Sequence, residues 1–388
     1  MPGSNVDERA IKGLLSELVR IDSVNPSLVP GAAGEAEVAR YIGGWMEELG
    51  LETRVYDVEP GRPNAVGILR GERGGRSLIL NGHTDTVGVD YYEGDPFKPR
   101  VRGGRLYGRG SFDMKGGLAA SMAAVKAVVD SGARLRGDLV LAAVCDEEYA
   151  SIGTEKLVEE YSADAAIVGE PTGGNVLVAH KGFAWVDVVT RGVAAHGSAF
   201  NEGVDAIAKM GGVLTGLEKL QQSLQGTMHP LVGPGSVHAS IIEGGSELST
   251  YPASCRLQLE RRLIPGENRE TVDVEMTALL RSLGKADPKF RAEHKVAFYR
   301  APMEVSPEEP ICQALAEAST RVLGREPLFI GGSGWLDTQI MTGRGIPSVS
   351  YGPSGDGAHA KEEWVDLGSV ANAARVQEYA VKAFCGLA

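Results

Sequence analysis

Apolar residues recur along this chain with two different periods. Ile11, Leu14, Leu15, Leu18 and Val19 fall at i, i+3, i+4, i+7 and i+8, the apolar stripe of a helix lying on a core. Val38, Tyr41, Ile42, Trp45, Met46 and Leu49 repeat that stripe, and Gly50 is placed to stop the helix. Short apolar runs come next: Asn64 to Leu69, Ser77 to Leu80, Leu139 to Val144 and Ala165 to Val168. Such runs predict buried strands. An Ala-rich helix, Gly117 to Val129, lies between the middle two. Strands alternating with helices predict an α/β sheet covered by helices.

The texture changes near residue 183. Ala184 to Arg191 alternates apolar and polar, as a half-exposed strand does. A helix over 203–221, strands over 235–243 and 253–263, a helix over 267–283 and a strand over 289–299 follow. This β-α-β-β-α-β order is that of a ferredoxin-like unit. The chain therefore reads as a discontinuous α/β domain, 1–182 and 295–388, interrupted by an inserted α+β domain at 183–294. After residue 300 the α/β texture returns, with helices over 308–323 and 368–385 and a strand ending near Tyr351. The stretch 222–236, with Gly226, Pro230, Gly233, Pro234 and Gly235, reads as a loop.

Length and charge narrow the class. A chain of 388 residues exceeds one ordinary core, which agrees with two domains. The net charge of −12 gives no attraction to nucleic acid or anionic membranes. No apolar run reaches membrane-spanning length, and no basic segment leads into an apolar one near residue 1. A cytoplasmic enzyme is expected. Cys145, Cys255, Cys312 and Cys385 are far apart, which predicts reduced thiols rather than disulfides or a cysteine-rich metal site. The glycine-rich segments lack the Lys-Ser/Thr ending of a phosphate-binding loop.

Five clusters carry the candidate chemistry: His83-Thr84-Asp85, Asp113, Glu147-Glu148, Glu170 and His359. Three follow apolar runs directly, in SLILNGHTD, LVLAAVCDEE and AAIVGEP. In an α/β sheet the C-terminal ends of parallel strands face one edge, so residues far apart in sequence converge there. Imidazole with carboxylates is the ligand set of catalytic zinc. A metal pair needs a bridging carboxylate, and a further carboxylate outside the ligand set must move the proton. Each ligating histidine also needs a partner on its other nitrogen. Taken singly, each cluster has an ordinary reading as surface, turn or cap. Two carboxylates at the end of a buried strand, however, are costly unless used.

These pieces resemble the M20 metallopeptidase family, which includes acetylornithine deacetylase and succinyl-diaminopimelate desuccinylase. The resemblance spans nearly the whole chain, through NGHTDTV, GRGSFDMKGG, CDEE, GEPT, AHGS, ERRLIPGE and YGPSGDGAHAKEE. It implies a zinc-exopeptidase-like catalytic domain with a mixed sheet and an inserted lid and dimerisation domain. It implies two zinc ions, with cobalt as a substitute. Asp113 would bridge them, His83 and Glu170 completing one site and Glu148 and His359 the other. Asp85 would orient His83, and Glu147 would be the general base. His196 would stabilise the oxyanion across a homodimer formed through the lid, and Arg262 would hold a substrate carboxylate, with neighbouring Arg261 as the rival.

The chain departs from the family pattern in ELSTYPASC, where Ser249 stands in place of a common asparagine, and in GGSGWLDTQ, which keeps Asp337 but has Leu336 at a position usually small and polar. Ser249 and Asp337 are therefore candidate substrate contacts. The resemblance implies hydrolysis of the amide of a small N-acyl amino acid, acetylornithine deacylation first. Desuccinylation, deformylation of a pyrimidine amine and dipeptide or carboxypeptidase cleavage are the alternatives. A non-catalytic metal-binding protein of the same fold is the alternative of another class.

Overall fold

The helices form where the sequence places apolar stripes. Helix Glu8–Arg20 starts at Asp7, whose carboxylate accepts the free N–H groups of Arg9 and Ala10. It buries Ile11, Leu15, Leu18 and Val19, each such side chain contributing about 1.5–3 kcal/mol. Helix Ala36–Glu48 buries Val38, Ala39, Ile42 and Met46. The computed structural model describes residues 4–388, and they fall into two compact units. The first comprises residues up to Val178 with Val305–Ile330 and Leu336–Ala388; the second comprises Ala179–Glu304 with Gly331–Trp335. The second unit thus takes in a short segment, Gly331–Trp335, that lies far outside the expected span of 183–294.

The first unit is built on a mixed sheet. Its strands run in the order Glu52–Glu59, Arg62–Leu69, Leu139–Val144, Leu78–His83, Ala165–Val168, Ser348–Ser350 and Val176–His180. Leu78–His83 lies parallel to both Leu139–Val144 and Ala165–Val168. These central strands are buried along their whole length, which is why they read as unbroken apolar runs. Helices Lys115–Asp130 and Leu367–Cys385 pack against each other, and Glu8–Arg20 packs on both. The approach of Lys115–Asp130 to the sheet is close: a Cβ on Gly117 would meet the carbonyl oxygen of Gly169 at 1.7 Å. Only glycine fits there.

A second, small sheet has the order Gly355–Asp356, Trp364–Asp366, Arg105–Tyr107 and Arg100–Arg102. Pairing of Trp364–Asp366 with Arg105–Tyr107 brings the loop after Tyr107 beside the loop before Trp364. Those loops carry Asp113 and His359.

The second unit has the expected β-α-β-β-α-β order. Its antiparallel sheet runs Ser236–Gly244, Ser254–Leu263, Gly182–Arg191, Arg291–Arg300. Val186, Val188, Leu257 and Leu259 form a core with Met210 and Val213 of helix Ala206–Leu224 and Val272 and Met276 of helix Arg269–Ala286. The expected loop at 222–236 is partly structured: the helix continues to Leu224, and Met228–His229 pairs with Gly233–Pro234. Among the described residues no helix is long and apolar enough to cross a membrane.

Candidate metal centre and its surroundings

The three parallel strands deliver their residues to one edge. His83 is the last residue of its strand, Glu147 and Glu148 lie three and four residues past Val144, and Glu170 two past Val168. Asp113 arrives from the loop before helix Lys115–Asp130, and His359 from the loop before Trp364–Asp366. Two groups of potential ligand atoms result, each within 4.8 Å: His83, Asp113 and Glu170, and Asp113, Glu148 and His359.

Asp113 belongs to both, and its two oxygens divide between them. Oδ1 faces His83 Nε2 at 3.3 Å, while Oδ2 faces His359 Nε2 at 3.4 Å. Glu170 Oε1 lies 3.9 Å from His83 Nε2, and Glu148 Oε2 lies 3.0 Å from His359 Nε2. Glu147 stands outside both groups.

The donor set fits bound cations. Burial raises the carboxyls of Glu147 and Glu170 well above the ordinary range and also raises that of Glu148, with the neighbouring carboxylates adding to it. Burial opposes the charge of Asp113 too, but hydrogen bonds from His359 and His83 bring its pKa below the usual value. Glu170 Oε1 is buried without a hydrogen-bond partner. A buried acceptor left unpaired costs about 1–3 kcal/mol, and a cation at that point removes the cost. With no cysteine in the set, imidazole and carboxylate suit zinc or a similar divalent ion.

Asp85 is fully buried and does more than the sequence implies. Its side-chain oxygen is 3.6 Å from His83 Nδ1, too far for a good hydrogen bond. The 2.9 Å partner of Nδ1 is instead the Asp85 main-chain oxygen. The carboxylate accepts the N–H groups of Glu147 and Glu148 at 3.1 Å each and the Asn25 amide at 2.7 Å. Burial works against its charge, but the nearby His83 ring and the hydrogen bonds from Asn25 and Glu148 take its pKa below the ordinary value. Asp85 thus ties the strand carrying His83 to the turn carrying both glutamates.

Behind it lies an ionic network that sequence reasoning missed. Asn25 also donates to Asp146 at 3.0 Å, and Arg62 donates to Asp146 at 2.8 Å. Arg62 in turn makes a two-pronged pair with Glu35, itself fully buried. Asp146 holds a left-handed φ of 68°, the bend that turns the chain from the strand to Glu147. Aspartate tolerates this conformation better than most residues. The sequence signal available was the acidic triplet Asp146-Glu147-Glu148, of which the first member was given no role.

Of the remaining candidates, Asp337 belongs to the first unit and its charge helps to raise the carboxyls of Glu147 and Glu170, whereas His196, Ser249 and Arg262 belong to the second. Asp337 is buried and accepts a hydrogen bond from Thr154 at 2.5 Å. Burial raises its carboxyl to about 6, the Thr154 bond opposing. Its side chain is 1% exposed. In the second unit His196 and Ser249 are neighbours: Gly197 N–H donates to Ser249 O at 2.7 Å, and both residues are exposed. His196 Nδ1 lies 2.8 Å from Ser198 Oγ.

Arg261 and Arg262 point oppositely, as strand neighbours do. Arg261 is fully buried and held by Glu267 and Glu275 at 2.7 and 2.9 Å. Arg262 lies on the other face, 5.1 Å over the Phe183 ring and paired with Glu260 at 2.6 Å.

Fold and donor set define a metal-dependent hydrolase of amide bonds. Residues 79–383 match the model of peptidase family M20/M25/M40, and the chain belongs to that family. It is 31% identical over 377 residues to the N-formyl-4-amino-5-aminomethyl-2-methylpyrimidine deformylase of Bacillus subtilis, covering 87% of each chain. It is 30% identical over 395 residues to the acetylornithine deacetylase of Myxococcus xanthus, covering 97% of this chain and 98% of that one. Among solved structures it is similar to the aminopeptidase PepT of Bacillus cereus, with a TM-score of 0.80 at 19% identity over 98% of this chain and 100% of that one. The YXEP protein of Bacillus subtilis, described as a dinuclear metal-binding M20 peptidase, superposes with a TM-score of 0.73 at 17% identity, covering 97% and 98%. These likenesses to solved structures concern the fold.

Proposed function

We propose that this protein is a two-zinc deacylase that hydrolyses the amide of a small N-acyl amino acid, acetylornithine-type substrates first. The division of the Asp113 carboxylate between His83 and His359 carries the reading. It is the arrangement a bridging ligand needs, and each side has its own second carboxylate. His83, Asp113 and Glu170 would hold one ion; Asp113, Glu148 and His359 would hold the other. Bound there, the ions supply Lewis acidity toward the scissile carbonyl and make water acidic enough to react near neutral pH.

The chain supplies the rest. Glu147, half-buried and outside both ligand groups, takes a proton from the attacking water and returns it to the leaving amine. Its raised pKa in dry surroundings suits a group that must both accept and donate. Asp85 holds the Glu147 and Glu148 main chain, so base and ligand keep their spacing. His196 is exposed, as a residue serving a neighbouring copy would be, and we assign it to the oxyanion across a homodimer. The edge strand Ser236–Gly244, with Ile241 and Ile242 more than half exposed, is a surface through which two copies would join. Arg262 is assigned to a substrate carboxylate.

One observation favours the deformylase reading as the second choice. Phe183, Trp185 and Phe298 cluster with centroids 5.1–5.8 Å apart, and Arg262 lies over Phe183. Such a surface accepts a planar ring better than a flexible ammonium chain. The test is a turnover panel on zinc-loaded and cobalt-loaded protein: N-acetylornithine, N-succinyl-diaminopimelate, the formyl-aminopyrimidine and dipeptides. Highest kcat/KM on acetylornithine supports the first reading. Highest on the formyl-aminopyrimidine moves the assignment to the second, and no turnover anywhere sinks both.

A further inference from the structure

Glu363 stands four residues beyond His359 and is completely buried. Its carboxylate is saturated by one loop. Oε1 accepts the N–H groups of Phe112 at 2.8 Å and Asp113 at 3.0 Å. Oε2 accepts the N–H of Gly110 at 2.9 Å and Arg109 Nη1 at 2.8 Å. Arg109, 1% exposed, uses its other prong on the carbonyl of Ala360 at 2.9 Å, next to His359. Gly108 N–H completes the tie on the Glu363 carbonyl at 3.1 Å. His359 itself is 52% exposed, holds a φ of 59°, and meets Asp113 and Glu148 at its ring.

We propose that Arg109 and Glu363 are positioning residues that clamp the loop of the bridging carboxylate to the loop of His359, and so set the affinity of the ion shared by Asp113, Glu148 and His359. The physical case rests on reach. His359 comes from an exposed loop, and side-chain contacts among ligands do not fix a backbone. The clamp does: three N–H groups of one loop and one guanidinium converge on a single buried carboxylate. Charge-assisted bonds of this kind are the strong ones. Loss of such outer support costs about 10–100-fold in metal affinity in other sites. The clamp touches neither ion nor substrate, so it acts through Asp113 and His359. This inference rests on the two-metal reading above.

The test uses the full chain, stripped with a chelator and titrated with zinc. Glu363→Gln is expected to weaken zinc binding about 10–100-fold at one of the two sites, to lower kcat at limiting zinc, and to leave KM within about threefold. Because a lone buried Arg109 could unfold the chain, the double variant Arg109→Met/Glu363→Gln removes both charges together. It should show the same zinc defect at an unchanged circular-dichroism spectrum. Hydrogen exchange on the zinc-free chain gives a readout independent of metal. The amides of Gly110, Phe112 and Asp113 should exchange faster in both variants, while those of strand Leu78–His83 keep parental protection. A folded double variant with parental zinc affinity and parental exchange at those three amides overturns the proposal. Zinc titration judges the clamp even where no amide of the panel is cleaved, so the two readings fail separately.

Discussion

The metal cluster of the first unit and the candidate residues of the second differ in how they are held. His83 and Glu170 are 1% and 4% exposed, and every candidate ligand sits at a strand end or on a loop tied down by buried carboxylates. His196 and Ser249 lie on the surface, with His196 bonded only locally to Ser198. Arg262 is half-buried beside Glu260. A site that must gather several like charges needs rigid, dry support, because the ligands repel one another until the ions arrive. Groups proposed to meet a substrate must stay open, and these three carry no comparable buried support.

That difference can be broken by substitution, starting where the effect is greatest. Asp113→Ala removes the ligand shared by both groups. It should empty both sites by elemental analysis and lower kcat/KM roughly ten-thousand-fold, as loss of several kcal/mol of charge stabilisation requires. Retention of two ions would show that Asp113 does not bridge. Glu147→Gln comes next: about a thousandfold loss of kcat, in the range of a lost general base, with both ions retained. If metal is lost instead, Glu147 and Glu148 have exchanged roles.

His196→Ala should cost about a hundredfold in kcat with metal content unchanged. Mixing subunits sharpens this test. Dimers joining a His196→Ala chain to a Glu147→Gln chain regain one intact site if His196 acts across the interface, so about a quarter of parental activity returns after exchange. No recovery would place His196 in its own chain's site, or outside catalysis.

The same contrast decides what was legible in the sequence. The convergence of His83, Glu148 and Glu170 was readable because parallel strands must present their C-terminal ends together, and unbroken apolar runs marked those strands, whereas Asp113 and His359 arrive on loops and were placed by the family resemblance. Strand Glu52–Glu59 escaped notice because it lies at the sheet edge with most side chains exposed, leaving no apolar run. Helix Ile152–Glu160 is short and begins at a left-handed Ser151. The supports were invisible for a different reason. Glu35, Arg62, Asp146 and Glu363 are charged residues, and charge in a sequence normally signals solvent. Their burial follows from pairing across 27 to 254 positions, which no local pattern records. Asp337 entered the sequence reading only through its place in the family pattern, and nothing local announces that its carboxyl is buried against Thr154.

Arg261 and Arg262 give the smallest effect and the cleanest contrast, since adjacent residues of one strand face opposite surroundings. Arg261→Met leaves the half-buried Glu267 and Glu275 without their shared, fully buried partner. About 3–5 kcal/mol of stability should be lost, seen as an earlier unfolding transition. Arg262→Ala removes only a half-exposed pair with Glu260 and stacking on Phe183. Its unfolding midpoint should stay close to the parent's, because such exposed pairs contribute about 0–1 kcal/mol. Its KM should rise about tenfold with kcat nearly unchanged, the mark of an interaction made equally with substrate and transition state. Arg262→Lys restores charge without the planar fork and should recover only part of that loss. An Arg262→Ala protein with unaltered KM would leave the aromatic cluster, and not the guanidinium, as the feature of that face that meets the substrate.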